Sequence, residues 1–109
     1  MEGYELVGKV GDFRDSIVRV VDVGGTDVAV VSYKDRFHAF SGHCTHENYS
    51  FNYTRVKPGD VIICSSHIAV FELAGGKFVG GQPADDLPQY DVRVEGDDVY
   101  VSKEVTSNK

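Results

Sequence analysis

The chain has 109 residues and a mass of 12.0 kDa, which is the size of a single domain. An excess of acidic over basic residues gives a net charge of −6 at pH 7, which argues against a surface for nucleic acid or anionic membranes. Such acidity either favours docking onto a basic partner or simply maintains solubility.

The sequence offers no segment for export or membrane insertion. The N-terminus "MEGYELVGKV" lacks a basic n-region and an apolar h-region, and no apolar run approaches the roughly 20 residues of a membrane span. Cys44 and Cys64 allow at most one disulfide, and each has histidine nearby, which indicates a metal site in a reducing compartment. We therefore expect a soluble, cytoplasmic protein.

The chain predicts β-structure nearly throughout, because no stretch has the apolar spacing of an amphipathic helix. Nine short strands are expected: YELVGKV (4–10), IVRVVDV (17–23), DVAVVSY (27–33), RFHAF (36–40), DVIIC (60–64), AVFEL (69–73), GGKFV (75–79), YDVRVEG (90–96) and DVYVS (98–102). Glycines in the intervening GGT, AGGK and EGDD segments supply the positive φ that tight hairpins need. This spacing of strands and turns indicates an all-β sandwich or barrel-like fold.

Two pairs of potential metal ligands lie where predicted strands end. Cys44 and His46 form a C-x-H pair after RFHAF, and Cys64 and His67 form a C-x-x-H pair after DVII. Two loops that project from a β scaffold can each present one thiolate and one imidazole to a common point.

Three interpretations of these pairs compete. In the first, the four residues are unrelated and the cysteines are buried as small apolar side chains. This is disfavoured, because two uncommon residue types would then recur as pairs by chance. A catalytic thiolate is disfavoured, because nothing singles out one cysteine as the nucleophile. Metal binding takes one of two forms: structural zinc normally uses pairs of like ligands, whereas mixed pairs suit a two-iron cluster in which thiolates bind one iron and imidazoles the other.

The paired spacing resembles the signature of Rieske-type [2Fe–2S] ferredoxins, in which C-x-H is followed, after fifteen or more residues, by C-x-x-H. The resemblance implies a Rieske-like fold of antiparallel sheets with a cluster-binding subdomain formed by two loops. It also implies that Cys44 and Cys64 bind an inner iron of one [2Fe–2S] cluster. His46 and His67 would bind the outer iron, nearer the solvent.

The resemblance covers nearly the whole chain. Residues 69–81 resemble the strand pair that follows the second ligand pair in the family. Residues 80–90 resemble the loop that covers the cluster, and residues 90–101 resemble the closing hairpin. Pro83 takes the covering position. The resemblance implies a single domain over 1–109, with a basal β part at about 1–40 and 87–109 and a cluster-binding part at about 41–86.

Departures from the family pattern bear on the reduction potential. Respiratory-complex members carry two further cysteines that form a disulfide, and this chain has no such cysteines. Those members also place a serine and a tyrosine, as donors to the sulfurs, where this chain has Ala69 and Phe71. Because such donors stabilise the reduced cluster, their loss predicts a low potential, on the order of −150 mV. Ile68 stands where the family usually has glycine, which affects the expected docking surface more than the ligands.

The resemblance implies an electron carrier, not an enzyme. It would take electrons from a reductase and pass them to an oxygenase or similar terminal oxidoreductase, as a monomer that docks near His46 and His67. Two alternatives stay open: a small Rieske subunit or redox sensor of a larger complex, and a zinc-stabilised β-domain with a binding role only.

Other conspicuous side chains are expected to have structural roles. His38 is expected to be an exposed strand residue and His43 to face solvent, since neither fits the paired spacing. Asp85 and Asp86 belong either to an acidic docking rim or to a solvated turn. Five phenylalanines are expected to pack in the core or in loops and not to stack on a ligand: Phe37, Phe40, Phe51, Phe71 and Phe78.

Overall fold

The computed structural model describes residues 3–34, 36–42, 51, 54–63, 70–73, 76–80 and 86–105. These residues form nine strands and a short 3₁₀ helix at Val10–Asp12. The strands are β1 (Tyr4–Lys9), β2 (Arg19–Val23), β3 (Thr26–Tyr33), β4 (Arg36–Ser41), β5 (Val61–Ile63), β6 (Val70–Glu72), β7 (Phe78–Gly80), β8 (Gln89–Glu95) and β9 (Asp98–Val105). The expected all-β fold is confirmed. In the described ranges no helix is long and apolar enough to cross a bilayer.

The strands form two antiparallel sheets. The larger sheet has the order β1-β9-β8-β4-β3-β2, and the smaller has the order β5-β6-β7. The hairpin between β2 and β3 turns at Gly24 and Gly25, whose φ values are 59° and 89°. These positive values are the ones predicted for GGT, because a tight hairpin turn needs a left-handed backbone.

Strand β3 is buried on both faces, and this divides the apolar interior into two cores. Val28 and Val30 point to one side and Ala29 and Val31 to the other, because side chains alternate along a strand. The basal core consists of Phe13, Val23, Val28, Val30, Ala39, Val99 and Val101. The interface core consists of Val18, Ala29, Val31, Phe40, Phe51, Ile62, Phe71, Leu73 and Leu87. The interface core joins the two sheets, because it takes residues from both.

Aromatic rings pack edge to face through the interface core. Phe51 lies between Phe40 and Phe71, with ring centroids 5.6 and 6.4 Å away, and Phe78 lies 6.0 Å beyond Phe71. Phe37 packs instead against the basal core. The expectation that these phenylalanines serve packing is confirmed, since each belongs to or packs against one of the two cores.

Candidate metal centre

The four predicted ligands, Cys44, His46, Cys64 and His67, lie outside the described residues. The same holds for five other residues discussed above: His43, Ile68, Ala69, Pro83 and Asp85. The structure does describe the residues on either side of three segments, 43–50, 64–69 and 81–85. Two of these segments carry the predicted ligands, and the third carries the predicted covering proline.

The first segment has both of its flanking residues anchored on the larger sheet or in the interface core. The Phe51 amide donates a hydrogen bond to the Gly42 carbonyl at 2.9 Å, and the Gly42 amide donates to the Asp27 carbonyl on β3 at 3.0 Å. A Cβ atom on Gly42 would lie 2.8 Å from that Asp27 oxygen, so glycine permits the close approach. Phe51 is 1% exposed. The two residues that flank this segment are therefore hydrogen-bonded to each other and anchored to the scaffold.

The second and third segments start from the same end of the smaller sheet. Ile63 at the end of β5 pairs with Val70 at the start of β6, and Val70 pairs in turn with Gly80 at the end of β7. Beyond the third segment, the Asp86 carboxylate accepts a hydrogen bond from the Phe78 amide at 2.8 Å. Asp86 thus ties the chain beyond this segment to β7. Of the two roles expected for Asp86, a docking rim or a turn, this contact supports the turn.

The aromatic cluster contains residues that flank both of the segments with predicted ligands. Phe51 directly follows the first segment, Phe71 lies one residue inside the strand that follows the second, and the two rings are in contact. These anchors fit a metal centre shared by two loops, because they fix the ends of both loops on a common rigid cluster. Thiolates and imidazoles are also the donors that suit iron–sulfur chemistry.

His38 differs from its expectation. It is half-buried on β4, facing the seam between the two sheets, where its strand partner is Val31 of the interface core. Burial, and secondarily the nearby Arg36 charge, lowers the pKa of His38. The prediction of an exposed residue was wrong, because RFHAF alternation alone cannot show that a second sheet covers this face. In the described part of the chain, no group of three or more His, Cys, Asp or Glu residues could hold a metal ion.

Sequence reasoning did not single out Gly42 or assign Phe51 its position between the sheets. The available signal for Gly42 was its place directly before the first ligand pair, and glycine often marks a close backbone approach. Nothing in the local sequence distinguishes Phe51 from the other phenylalanines, because its contacts are with strands far away along the chain.

The two antiparallel sheets and the anchored residues that flank the three segments form a small β-scaffold. The chain belongs to the Rieske [2Fe-2S] domain family, whose sequence model matches residues 4–91. Family membership assigns one Rieske-type [2Fe–2S] cluster as the cofactor. It confirms the resemblance drawn from the Cys and His spacing.

Two similar proteins are ferredoxins of oxygenase systems. The ferredoxin component of the alkene monooxygenase system of Xanthobacter autotrophicus (strain ATCC BAA-1158 / Py2) is 34% identical over 102 residues, which is 93% of this chain and 82% of the relative. The biphenyl dioxygenase ferredoxin subunit of Pseudomonas sp. (strain KKS102) is 35% identical over 74 residues, 68% of each chain. These relatives are electron carriers and not enzymes, which agrees with the expected role.

Solved structures show the same fold. A chain from a complex of reduced oxygenase and oxidized ferredoxin in carbazole 1,9a-dioxygenase matches with a TM-score of 0.85 and 29% identity, covering 97% of this chain and 98% of that one. The ferredoxin of carbazole 1,9a-dioxygenase from Nocardioides aromaticivorans IC177 matches with a TM-score of 0.86 and 23% identity, over 94% of this chain and all of that one (100%). At that identity, the second match supports the fold alone.

Proposed function

We propose that this chain carries single electrons from a reductase to an oxygenase or a similar terminal oxidoreductase. The observation that carries the proposal is the 34% identity, over 93% of the chain, to a protein named as the ferredoxin component of a monooxygenase system. The cluster, when bound, accepts and releases one electron. The protein's own residues hold the two ligand loops, exclude water beneath them and present one edge to partners.

A transfer assay tests this role directly. The anaerobically reduced protein is mixed with the oxygenase component of an alkene monooxygenase system, and its reoxidation is followed by visible absorption. We expect reoxidation to accelerate in proportion to the oxygenase concentration, and reduction to be catalysed by the reductase of the same system. Reoxidation at the rate seen with serum albumin would contradict transfer to this kind of acceptor.

The proposed ligands are Cys44, His46, Cys64 and His67. The chain has only two cysteines, so four thiolate ligands cannot come from one molecule, and two ligands must be of another type. Histidine is the other ligand type that Rieske irons use. The residues flanking the two loops support this assignment, because they tie both loops to the same aromatic cluster.

The four histidines of the chain provide a matched set for testing the ligands. His46 and His67 are the proposed ligands, whereas His38 and His43 are the controls. Each is replaced by glutamine, and iron, sulfide and zinc content is measured together with the EPR spectrum after dithionite reduction. We expect the rhombic Rieske signal to vanish only in H46Q and H67Q. Its loss in H38Q or H43Q, or one zinc in place of two irons, would contradict the assignment.

A low reduction potential follows from the residue at position 71. Phe71 is fully buried and packs on Phe51 and Phe78, so its side chain brings no hydroxyl to the cluster region. If tyrosine there donates a hydrogen bond to a cysteine sulfur, Phe71→Tyr should raise the potential by on the order of 40 mV, since such a bond contributes about 1 kcal/mol. The control is Phe78→Tyr, which adds a hydroxyl to the same group of packed aromatic rings. An equal shift in both variants in a redox titration would refute this reasoning.

Partners are proposed to dock near His46 and His67, where the cluster edge is closest to solvent. The net charge of −6 favours a basic face on the partner, so the rate of electron transfer should fall as salt concentration rises. A rate independent of salt would argue for apolar docking. We also propose that the protein is a cytoplasmic monomer, which sedimentation and cell fractionation test.

The proposed division into a basal part at 1–40 and 87–109 and a cluster-binding part at 41–86 is supported by the strand content of the sheets. Strands β1–β4, β8 and β9 make up the larger sheet, and β5–β7 the smaller. Limited proteolysis of the holoprotein tests the single-domain proposal. We expect both parts to resist cleavage until the whole chain unfolds, whereas release of one stable fragment would indicate separable domains.

A further inference from the structure

A cavity of about 250 Å³ opens at the seam between the two sheets. It is lined by Tyr33, Lys34, Arg36, His38, Asp60 and Leu73. Asp60 directly precedes β5, whereas the ligand-bearing segment follows Ile63 at the other end of that strand. The cavity is therefore at the opposite end of β5 from Ile63.

The one carboxylate described in this cavity already has partners. The Tyr33 hydroxyl donates a hydrogen bond to Asp60 Oδ1 at 2.6 Å, and Lys34 Nζ lies 3.5 Å from the same oxygen. These contacts, the Tyr33 hydrogen bond above all, lower the pKa of Asp60. Asp60 has a positive φ of 60° in the turn that follows Lys57, so the backbone holds the carboxylate at this position. Its hydrogen-bond partners are Tyr33 and Lys34, and it also interacts electrostatically with His38.

Arg36 and His38 contribute donors to the same cavity. They lie two residues apart on β4, so their side chains point to the same face. No hydrogen bond joins either side chain to another residue in the part of the chain that is described. A guanidinium presents a planar fork of N–H groups that matches an oxyanion, and a neutral imidazole presents one N–H donor. The apolar wall formed by Leu73, which is 2% exposed, strengthens such contacts by excluding water.

We propose that this cavity binds a small oxyanion, a carboxylate or phosphate group, with Arg36 as the principal contact and His38 and Lys34 as further donors. The charges favour this class, because the lining has one more cation than anion when His38 is neutral. The cavity is smaller than the roughly 300–1,000 Å³ of drug-sized sites, so the ligand has only a few heavy atoms. The inference rests on the seam geometry and not on the proposed electron-transfer role.

The test is a sulfate titration of the oxidised holoprotein at constant ionic strength, followed by NMR signals of the arginine Nε–H and histidine Cε1–H groups. Sulfate is the probe because its charge does not change between pH 5 and 8. We expect saturable shifts of Arg36 and His38 and an affinity about tenfold lower in Arg36→Gln. The control, Arg55→Gln, removes the same charge from an exposed residue that does not line the cavity, and should leave the affinity within about twofold of the wild type.

His38 gives a second readout that separates binding from general charge effects. The charged or titratable groups facing it are Tyr33, Lys34, Arg36 and Asp60. A bound anion favours the protonated ring, so saturating sulfate should raise the pKa of His38, and by linkage sulfate should bind more tightly at lower pH. Parallel titrations with inorganic phosphate and acetate distinguish the two ligand chemistries. Linear shifts, an unchanged His38 pKa, or equal losses in both arginine variants would overturn the proposal.

Discussion

Phe51 belongs to the interface core and directly follows the first segment with proposed ligands, so its truncation tests whether that core supports the metal centre. The side chain is 1% exposed and makes edge-to-face contacts with Phe40 and Phe71. Truncation of a buried phenylalanine to alanine costs about 3–5 kcal/mol, of which each aromatic pair contributes about 0.5–1.5 kcal/mol. Because a domain of this kind is stable by about 5–15 kcal/mol, Phe51→Ala should leave a marginally folded protein.

The matched control is Phe13→Ala, which removes the same atoms from the basal core. Phe13 is 6% exposed and packs edge to face on Phe37 at 5.7 Å. Both variants should lower the midpoint of urea unfolding by about 2 M if the slope is about 1.5–2 kcal/mol per molar. Phe51→Ala alone should accelerate loss of the iron–sulfur cluster under native conditions, because of the two residues only Phe51 is adjacent to a segment with proposed ligands.

Far-UV and visible circular dichroism of the same oxidised sample separate the two effects. The far-UV signal reports unfolding of the sheets, and the visible signal reports the cluster. Phe51→Leu provides a milder variant in case Phe51→Ala does not accumulate in folded form. Equal rates of cluster loss in the Phe51 and Phe13 variants of matched stability would refute the idea that the interface core specifically supports the centre.

Two further predictions concern stability. The Tyr4 hydroxyl donates a hydrogen bond to Asp91, which is the main reason that the pKa of Asp91 is below the ordinary value of 3.8. The stability that this hydrogen bond contributes is present above pH 3.8 and is lost as pH falls toward the folded-state pKa of Asp91. Asp91→Asn and Tyr4→Phe should therefore each make the urea midpoint fall less steeply with pH in the acid range. An unchanged pH dependence would contradict this prediction. Gly76 and Gly96 have φ values of 67° and 61°, but a Cβ on Gly76 would lie 2.5 Å from the backbone carbonyl oxygen of Leu87, whereas one on Gly96 meets nothing within 4 Å. Gly76→Ala should therefore cost about 2 kcal/mol more than Gly96→Ala in urea unfolding, and equal costs would show that backbone strain alone decides both.

Strands, turns and family membership could all be predicted from local features of the sequence. Runs such as DVAVVSY and the glycines of GGT specify strands and a hairpin through local preferences, which act over a few residues. The mixed Cys and His pairs specify a donor set, and their spacing identified the family. These features could be predicted because each depends on residues adjacent in the chain.

Which strand faces are buried, and which distant segments of the chain lie close together, became apparent from the packing of the two sheets. β3 reads as a strand in the sequence, but both of its faces are covered because β5–β7 pack on one of them. His38 was expected to be exposed because the sequence does not show that the smaller sheet packs against its face of β4. The common support for the two ligand loops likewise depends on Phe51 and Phe71, whose contact joins residues that only the folding of the smaller sheet brings together. The burial of a side chain and the proximity of two segments both depend on contacts between residues far apart in the sequence. A local sequence pattern therefore cannot predict them.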